Sequence, residues 1–196
     1  MPDDGAPAAA PPPVSWSRAQ RRLHWWTAVL IPCGFLLAFV MVAWPLSDLL
    51  LKFLLYQAHK TIGLTVLVLV LWRLLLRARR GRPAADPDLP PWQARAAHIG
   101  HLVLYGLMLA VPVLGYFVAA TAPAGVPTLF LLVIPVPHVV APDEAAFGVL
   151  RAVHLSLATL LVVLAAGHAV MAVQHHRRGR TTLLRMWRGA ATPPVR

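Results

Sequence analysis

The stretch 149-VLRAVHLSLATLLVVLAAGHAVMAV-173 decides the fold. Its one formal charge is Arg151, and about 20 helical residues cross a hydrocarbon core of roughly 30 Å, so the stretch is long enough to span a bilayer. Two histidines, His154 and His168, interrupt the apolar run fourteen residues apart. Four helical turns take ~14.4 residues, and fourteen residues rise ~21 Å, so both imidazoles project from one face at two depths. Histidines inside lipid are costly and mark function. Two in register on one span predict a ladder of two bound groups.

The surrounding chain supplies the rest of a membrane protein. Hydrophobic residues make up 58% of the 196 residues, above the roughly 45–50% of soluble domains, and mean hydropathy is +0.64. Four stretches reach membrane length, about 24–44, 53–76, 98–118 and 149–173. The expected fold is an all-α bundle of four transmembrane helices. Positive residues favour cytoplasmic loops. Fifteen of the eighteen Lys and Arg fall before the first span, between Arg73 and Arg95, or from Arg177 onward, whereas Lys52, Lys60 and Arg151 stand alone on the other side. That bias predicts both termini inside, in a bacterial inner membrane. A net charge of +11 is also seen in nucleic-acid binders, but these arginines cluster at span ends, where anionic lipid attracts them. No nucleic-acid partner is expected. A single cysteine, Cys33, excludes an intramolecular disulfide, a CxxCH haem attachment and a cysteine-ligated iron–sulfur cluster, so any cofactor is left to histidine.

Residues 1–15 are rich in Pro and Ala and carry no apolar periodicity, which predicts a disordered tail. Without a basic start and an apolar core they do not read as a cleavable signal, and the first span serves as an uncleaved anchor. The four-helix domain is placed at 16–188 and a C-terminal tail at 189–196. The segment from Arg77 to Trp92 is a polar, Pro-rich connection. Between Ala119 and Phe147 lies an apolar segment too short for a fifth span and broken by Pro127, Pro135 and Pro137. It is expected as a loop lying on or dipping into the outer face, with His138 an interfacial histidine.

Given this topology, each histidine acquires a depth. His24 opens span one at the inner side and His59 opens span two at the outer side, so the pairs are His24 with His168 and His59 with His154. Axial ligation of haem b asks for two imidazoles at matched depth on different helices. Gly63, Gly167 and the alanines around His168 are expected to leave room, although small residues also serve plain helix packing. His24 is two residues from Arg22 whereas His168 is nine from Arg177, so equal depth requires span four to run about two turns past the hydrocarbon edge. His98 and His101 are rival partners for His168, read instead as hydrogen-bonding at headgroups or haem propionates. Histidine-bound zinc or copper is the alternative, but two ligands per level suit an iron already held by four porphyrin nitrogens.

The segments RRLHWWTAVLI, HKTIGLTVLVLVLWRLLLR, AHIGHLVLYGLMLAVPVLGY, VHLSLATLLVVLAAGHAVMAVQHH and TTLLRMW together resemble the bacterial cytochrome b561 family. These are four-helix dihaem proteins related to the cytochrome b subunits of nickel–iron hydrogenases. The resemblance covers nearly everything after residue 15. It implies two b haems, with axial ligands at His24, His59, His154 and His168, and electron transfer across the membrane. The sequence departs from the family's pattern at Leu155, where an acidic residue is common, and at Arg178, Gly179 and Arg180, where an aspartate is common.

Superoxide oxidation at the outer face with reduction of ubiquinone is the activity this resemblance implies. His175 and His176 lie toward the cytoplasm and are candidates to donate protons or bind a quinone carbonyl; a basic helix end is the bland alternative. Lys60 and Arg151 flank the two outer ligands and are the candidate anion entrance, although Asp48, Asp143 and Glu144 bring the formal charge of that face to zero. A second reading is a haem-bearing anchor subunit that relays electrons between quinone and a soluble redox partner docked on the outer loop. A third, a transporter with a histidine proton relay, predicts no Soret band.

Overall fold

The computed structural model describes residues 15–83 and 90–189. Residues 1–14 and 190–196, to which most of the two expected tails belong, lie outside the described residues, as do 84–89 of the polar connection. The chain is mostly helical: α1 (Arg18–Ala43), α2 (Leu49–Arg80), α3 (Pro91–Thr121), α4 (Glu144–Arg177) and a short α5 (Thr182–Trp187). The first four are long and apolar enough to cross a membrane. This is a multi-pass membrane protein.

Local chemistry sets the helix ends. Ser17 caps α1 in a reciprocal box with Gln20, satisfying two of the free amides of a first turn. Asp48 and Asp143 accept the amides of Leu51 and Ala146 at the starts of α2 and α4. Pro91 opens α3, where the missing N–H costs nothing. Gly81 closes α2 at a φ of 70°.

The spans run longer than expected, α1 at its start and the other three at both ends. The first begins at Arg18 rather than His24, which puts His24 in the second turn of α1. The fourth begins at Glu144 rather than Val149 and runs nine residues past His168 to Arg177. That continuation is what the depth of His168 required. In the core, Val66 and Val70 of α2 meet Leu107 and Met108 of α3 and Leu161 of α4. The core is thin, and residues such as Leu36, Phe39, Val68, Leu71 and Val163 face outward. In a bilayer those faces meet acyl chains and need no second protein layer.

The segment between α3 and α4, expected as a loop on or dipping into the outer face, adds a short sheet to the otherwise helical chain. Thr128–Phe130 and Ile134–Val136 pair as antiparallel strands β1 and β2, with Thr128 opposite Val136 and Phe130 opposite Ile134. This hairpin lies against α2. The side chain of Gln57, with no exposed surface, donates to Pro127 O (2.7 Å) and accepts from Leu129 N (2.9 Å), taking the place of a neighbouring strand. At the opposite, arginine-rich end, α5 folds back under α1: Trp25 Nε1 donates to Met186 O (3.2 Å), and the Trp25 and Trp187 rings meet edge to face at 5.0 Å.

Candidate functional site

Histidines face one another at two levels of the bundle. At the hairpin end, the rings of His59 on α2 and His154 on α4 have centroids 6.3 Å apart and planes at 85°. At the arginine-rich end, His24 on α1 and His168 on α4 stand 6.4 Å apart at 76°. An imidazole nitrogen lies ~2.0–2.1 Å from a bound metal and about 1.1 Å from its own ring centre. Two rings facing each other across one iron therefore hold their centroids roughly 6.2–6.4 Å apart. Both pairs fit that spacing, so these residues suit a six-coordinate haem iron.

The pair at the hairpin end is also oriented for ligation. His59 Nδ1 lies 3.0 Å from Gly34 O on α1, and His154 Nδ1 lies 3.0 Å from Val111 O on α3. A carbonyl can only accept, so each Nδ1 carries the proton and each Nε2 is left with a free lone pair. Metal-bound histidines commonly show this arrangement. Gly115 lets α3 come close: a Cβ there would stand 3.0 Å from His154 Cε1. A Cβ on Gly34 would stand equally close to Ile62. The glycines picked from sequence, Gly63 and Gly167, make no such approach.

The pair at the arginine-rich end is held differently. Arg73 donates through one nitrogen to Thr27 Oγ1 (2.8 Å) and through another to His24 Nδ1 (3.2 Å), while its guanidinium lies over the Tyr105 ring at 5.2 Å. With Nδ1 accepting, the proton of a neutral His24 ring sits on Nε2, the reverse of His59 and His154, so ligation through Nε2 requires Arg73 to give up this contact. Arg73 is fourteen residues after His59, the same interval that separates His154 from His168. That repeat on α2 is the signal in the sequence that places Arg73 on the face of His59. His101 on α3 also reaches this level, its centroid 5.2 Å from His168, which is about 1 Å too close for the two to oppose each other across one metal. Its Nδ1 donates instead to Ala97 O (2.6 Å). His98 lies apart, 3.3 Å from Arg82 NH1.

The remaining candidates are distributed as follows. Lys60 Nζ donates to Pro127 O (3.3 Å) and Val126 O (3.4 Å), so this cation clasps the base of the hairpin. Arg151 is exposed on the third turn of α4, and Leu155, at one departure from the family's pattern, is exposed also. His175 has a buried Nδ1 that no hydrogen bond satisfies among the described residues. The other departure, Arg178 to Arg180, forms the turn into α5, with Gly179 at a φ of 78° and Arg180 N bonded to His175 O. His138 Nε2 pairs with Thr128 Oγ1 (2.9 Å). Burial, and secondarily the charge of Lys60, lowers the His138 pKa from the ordinary histidine value.

Four membrane-length helices carrying facing histidines at two levels make up the architecture of a membrane haem protein. Residues 15–189 match the family model for prokaryotic cytochrome b561. The chain belongs to the prokaryotic cytochrome b561 family, whose members bind b-type haem and transfer electrons in the membrane. It is 31% identical over 172 residues to cytochrome b561 homolog 1 of Escherichia coli (strain K12), a match covering 87% of this chain and 96% of that protein. Homolog 2 of the same organism is 31% identical over 153 residues, covering 78% of this chain and 80% of that one. A probable superoxide oxidase CybB of Yersinia pestis is 31% identical over 129 residues, covering 65% of this chain and 72% of the relative.

Proposed function

We propose that this chain holds two b haems, one between His59 and His154 and one between His24 and His168, and that it oxidises superoxide at the outer face while reducing ubiquinone. The observation that carries the reading is the centroid spacing of 6.3 and 6.4 Å at two levels of one bundle. The arginine bias supports the hairpin end as the outer one, with both termini cytoplasmic and the four-helix unit at 16–188 in a bacterial inner membrane. Likeness to a relative described as a probable superoxide oxidase supports the choice of substrate.

Bound at these two levels, the haems would supply one-electron carriage across the membrane. In balance, two superoxide ions leave as two molecules of oxygen, and ubiquinone takes up two electrons and two protons to become ubiquinol. Lys60 and Arg151 draw the anion to the outer level, where the local field matters because the outer formal charge is balanced. Gly34 O and Val111 O keep His59 and His154 turned with Nε2 inward. At the other end His175 offers a ring nitrogen to a quinone carbonyl or a proton to the reduced ring.

The test uses purified full-length protein. Expected are two haems per chain by pyridine haemochrome and superoxide-dependent ubiquinone reduction, with His59→Ala or His154→Ala losing one haem and that activity. A single haem in the unsubstituted protein would remove the two-level assignment. Two haems without superoxide-driven turnover would leave the assignment standing and favour a relay fed by a protein donor.

A further inference from the structure

The β1–β2 hairpin is built unlike a turn that faces water. Tight turns that need positive φ normally use Gly, Asn or Asp, yet here the left-handed positions are Leu131 (φ 53°) and Leu132 (φ 65°). These two and the residues that follow are all exposed, Val133 most at 75%. No Asp, Glu, Lys or Arg occurs between Ala119 and Pro142. Hairpins in water protect their edges with charge, and this one has none.

Its amides nevertheless find partners. Leu129 N donates to Gln57 Oε1 and Leu131 N to Thr61 Oγ1 (3.1 Å). Leu132 N and Val133 N turn back to Leu129 O (3.4 Å) and Phe130 O (3.2 Å), and Pro135 has no N–H to satisfy. Internal pairing of this kind is what hydrocarbon demands of any backbone placed in it.

Position agrees with composition. Gln57 holds Pro127 and Leu129 while Thr61, one turn further along α2, holds Leu131, so β1 runs away from the start of α2 toward the middle of the bundle. Thr61 is twelve residues past Leu49, or ~18 Å of helix. The α1–α2 corner beyond it carries exposed Leu46, Leu49 and Leu50. In the other direction, the face of α2 that bears Gln57 and Thr61 continues two turns on as exposed Val68, Leu71 and Leu75. The tip is thus flanked on both sides by apolar surface that only lipid can cover in a membrane-spanning bundle.

We infer that Leu131–Ile134 is a re-entrant tip inserted among the acyl chains of the leaflet at the hairpin end, clamped to α2 by Gln57, Lys60 and Thr61. The test places a bimane label at Val133→Cys in a full-length Cys33→Ser background, reconstituted in phosphatidylcholine vesicles, with Ala141→Cys as the control outside the hairpin. Nitroxides on the acyl chains are expected to quench the label at 133 several-fold more than at 141, and aqueous iodide to show the reverse order. Equal iodide quenching at both positions would overturn the proposal in favour of a tip in water. Protection from both quenchers would overturn it in favour of a second protein surface, including another copy of this chain. Labelling at Leu132→Cys repeats the measurement should the 133 variant fold poorly.

Discussion

Replacing Gly115 by alanine is expected to loosen one histidine level and leave the other intact. The added Cβ would stand 3.0 Å from His154 Cε1 and 3.4 Å from its Nδ1, whereas carbon contacts are optimal at about 3.5–4.0 Å. Ring or helix must therefore give by roughly 0.5–1 Å. The ring is not free to do so, because its Nδ1–H is held by Val111 O at 3.0 Å, one turn back on the same helix. Retreat from Gly115 stretches that bond toward distances at which it ceases to be one. Overpacking of this size costs about 1–3 kcal/mol. Alanine's better helix propensity, about 1 kcal/mol, is present with or without a ligand and so cancels from affinity. At 1.4 kcal/mol per decade, strain felt at the site weakens haem binding there about 5- to 150-fold. Haem loss to apomyoglobin, followed by pyridine haemochrome and by redox titration, measures this. The expected result is rapid loss of one haem of two, with Gly148→Ala unaffected because a Cβ there meets nothing within 4 Å. Unchanged exchange in Gly115→Ala, or equal loss from both levels, would refute the reasoning.

Gln57→Leu is expected to release the hairpin, since Leu129 N and Pro127 O lose their partner and each unsatisfied buried group costs about 1–3 kcal/mol; hydrogen exchange of peptides covering 126–136 should rise sharply while that of α3 stays unchanged. His138 has its pKa lowered by burial, so the folded state binds fewer protons than the unfolded one. Its contribution is intact above the ordinary histidine pKa and is lost as pH falls through that value toward the lower folded one. The protection of the hairpin amides, corrected for the intrinsic pH dependence of exchange, should therefore fall below about pH 6.5, and the fall should flatten in His138→Gln. Charge reversal at both Lys60 and Arg151 is expected to lower superoxide-driven quinone reduction by about tenfold or more at low salt, with the deficit shrinking as salt rises. An undiminished rate would remove them from the anion entrance.

Much of the bundle was legible because it rests on helical arithmetic. His154 and His168 share a face by spacing alone, and the arginine bias assigned His59 and His24 to the matching depths. The hairpin was not legible. Its strands are three residues each, its turn uses Leu131 and Leu132 where a turn signal would be Gly or Asn, and its prolines read only as helix breakers. Gly34 and Gly115 were invisible for another reason: a glycine's use lies in what approaches it from another helix, and Ile62 and His154 are distant in sequence. His101 was weighed as a rival to His24, and its distance from His168 separates the two roles. The Arg73–Thr27–His24 link was hidden because an arginine near a span end is ordinarily a topology anchor.

Both histidine levels hang from α4, which carries no proline, whereas α1 and α3 are interrupted by Pro32 and Pro112. The separation between levels is therefore a ruler made of backbone hydrogen bonds. One residue inserted between His154 and His168 would swing the lower ring by about 100° and remove it from His24. Seven would return it nearly to register but about 10 Å too deep. The connections between spans could lengthen without disturbing either pair of rings, whereas this interval fixes the distance between the two levels in helical turns.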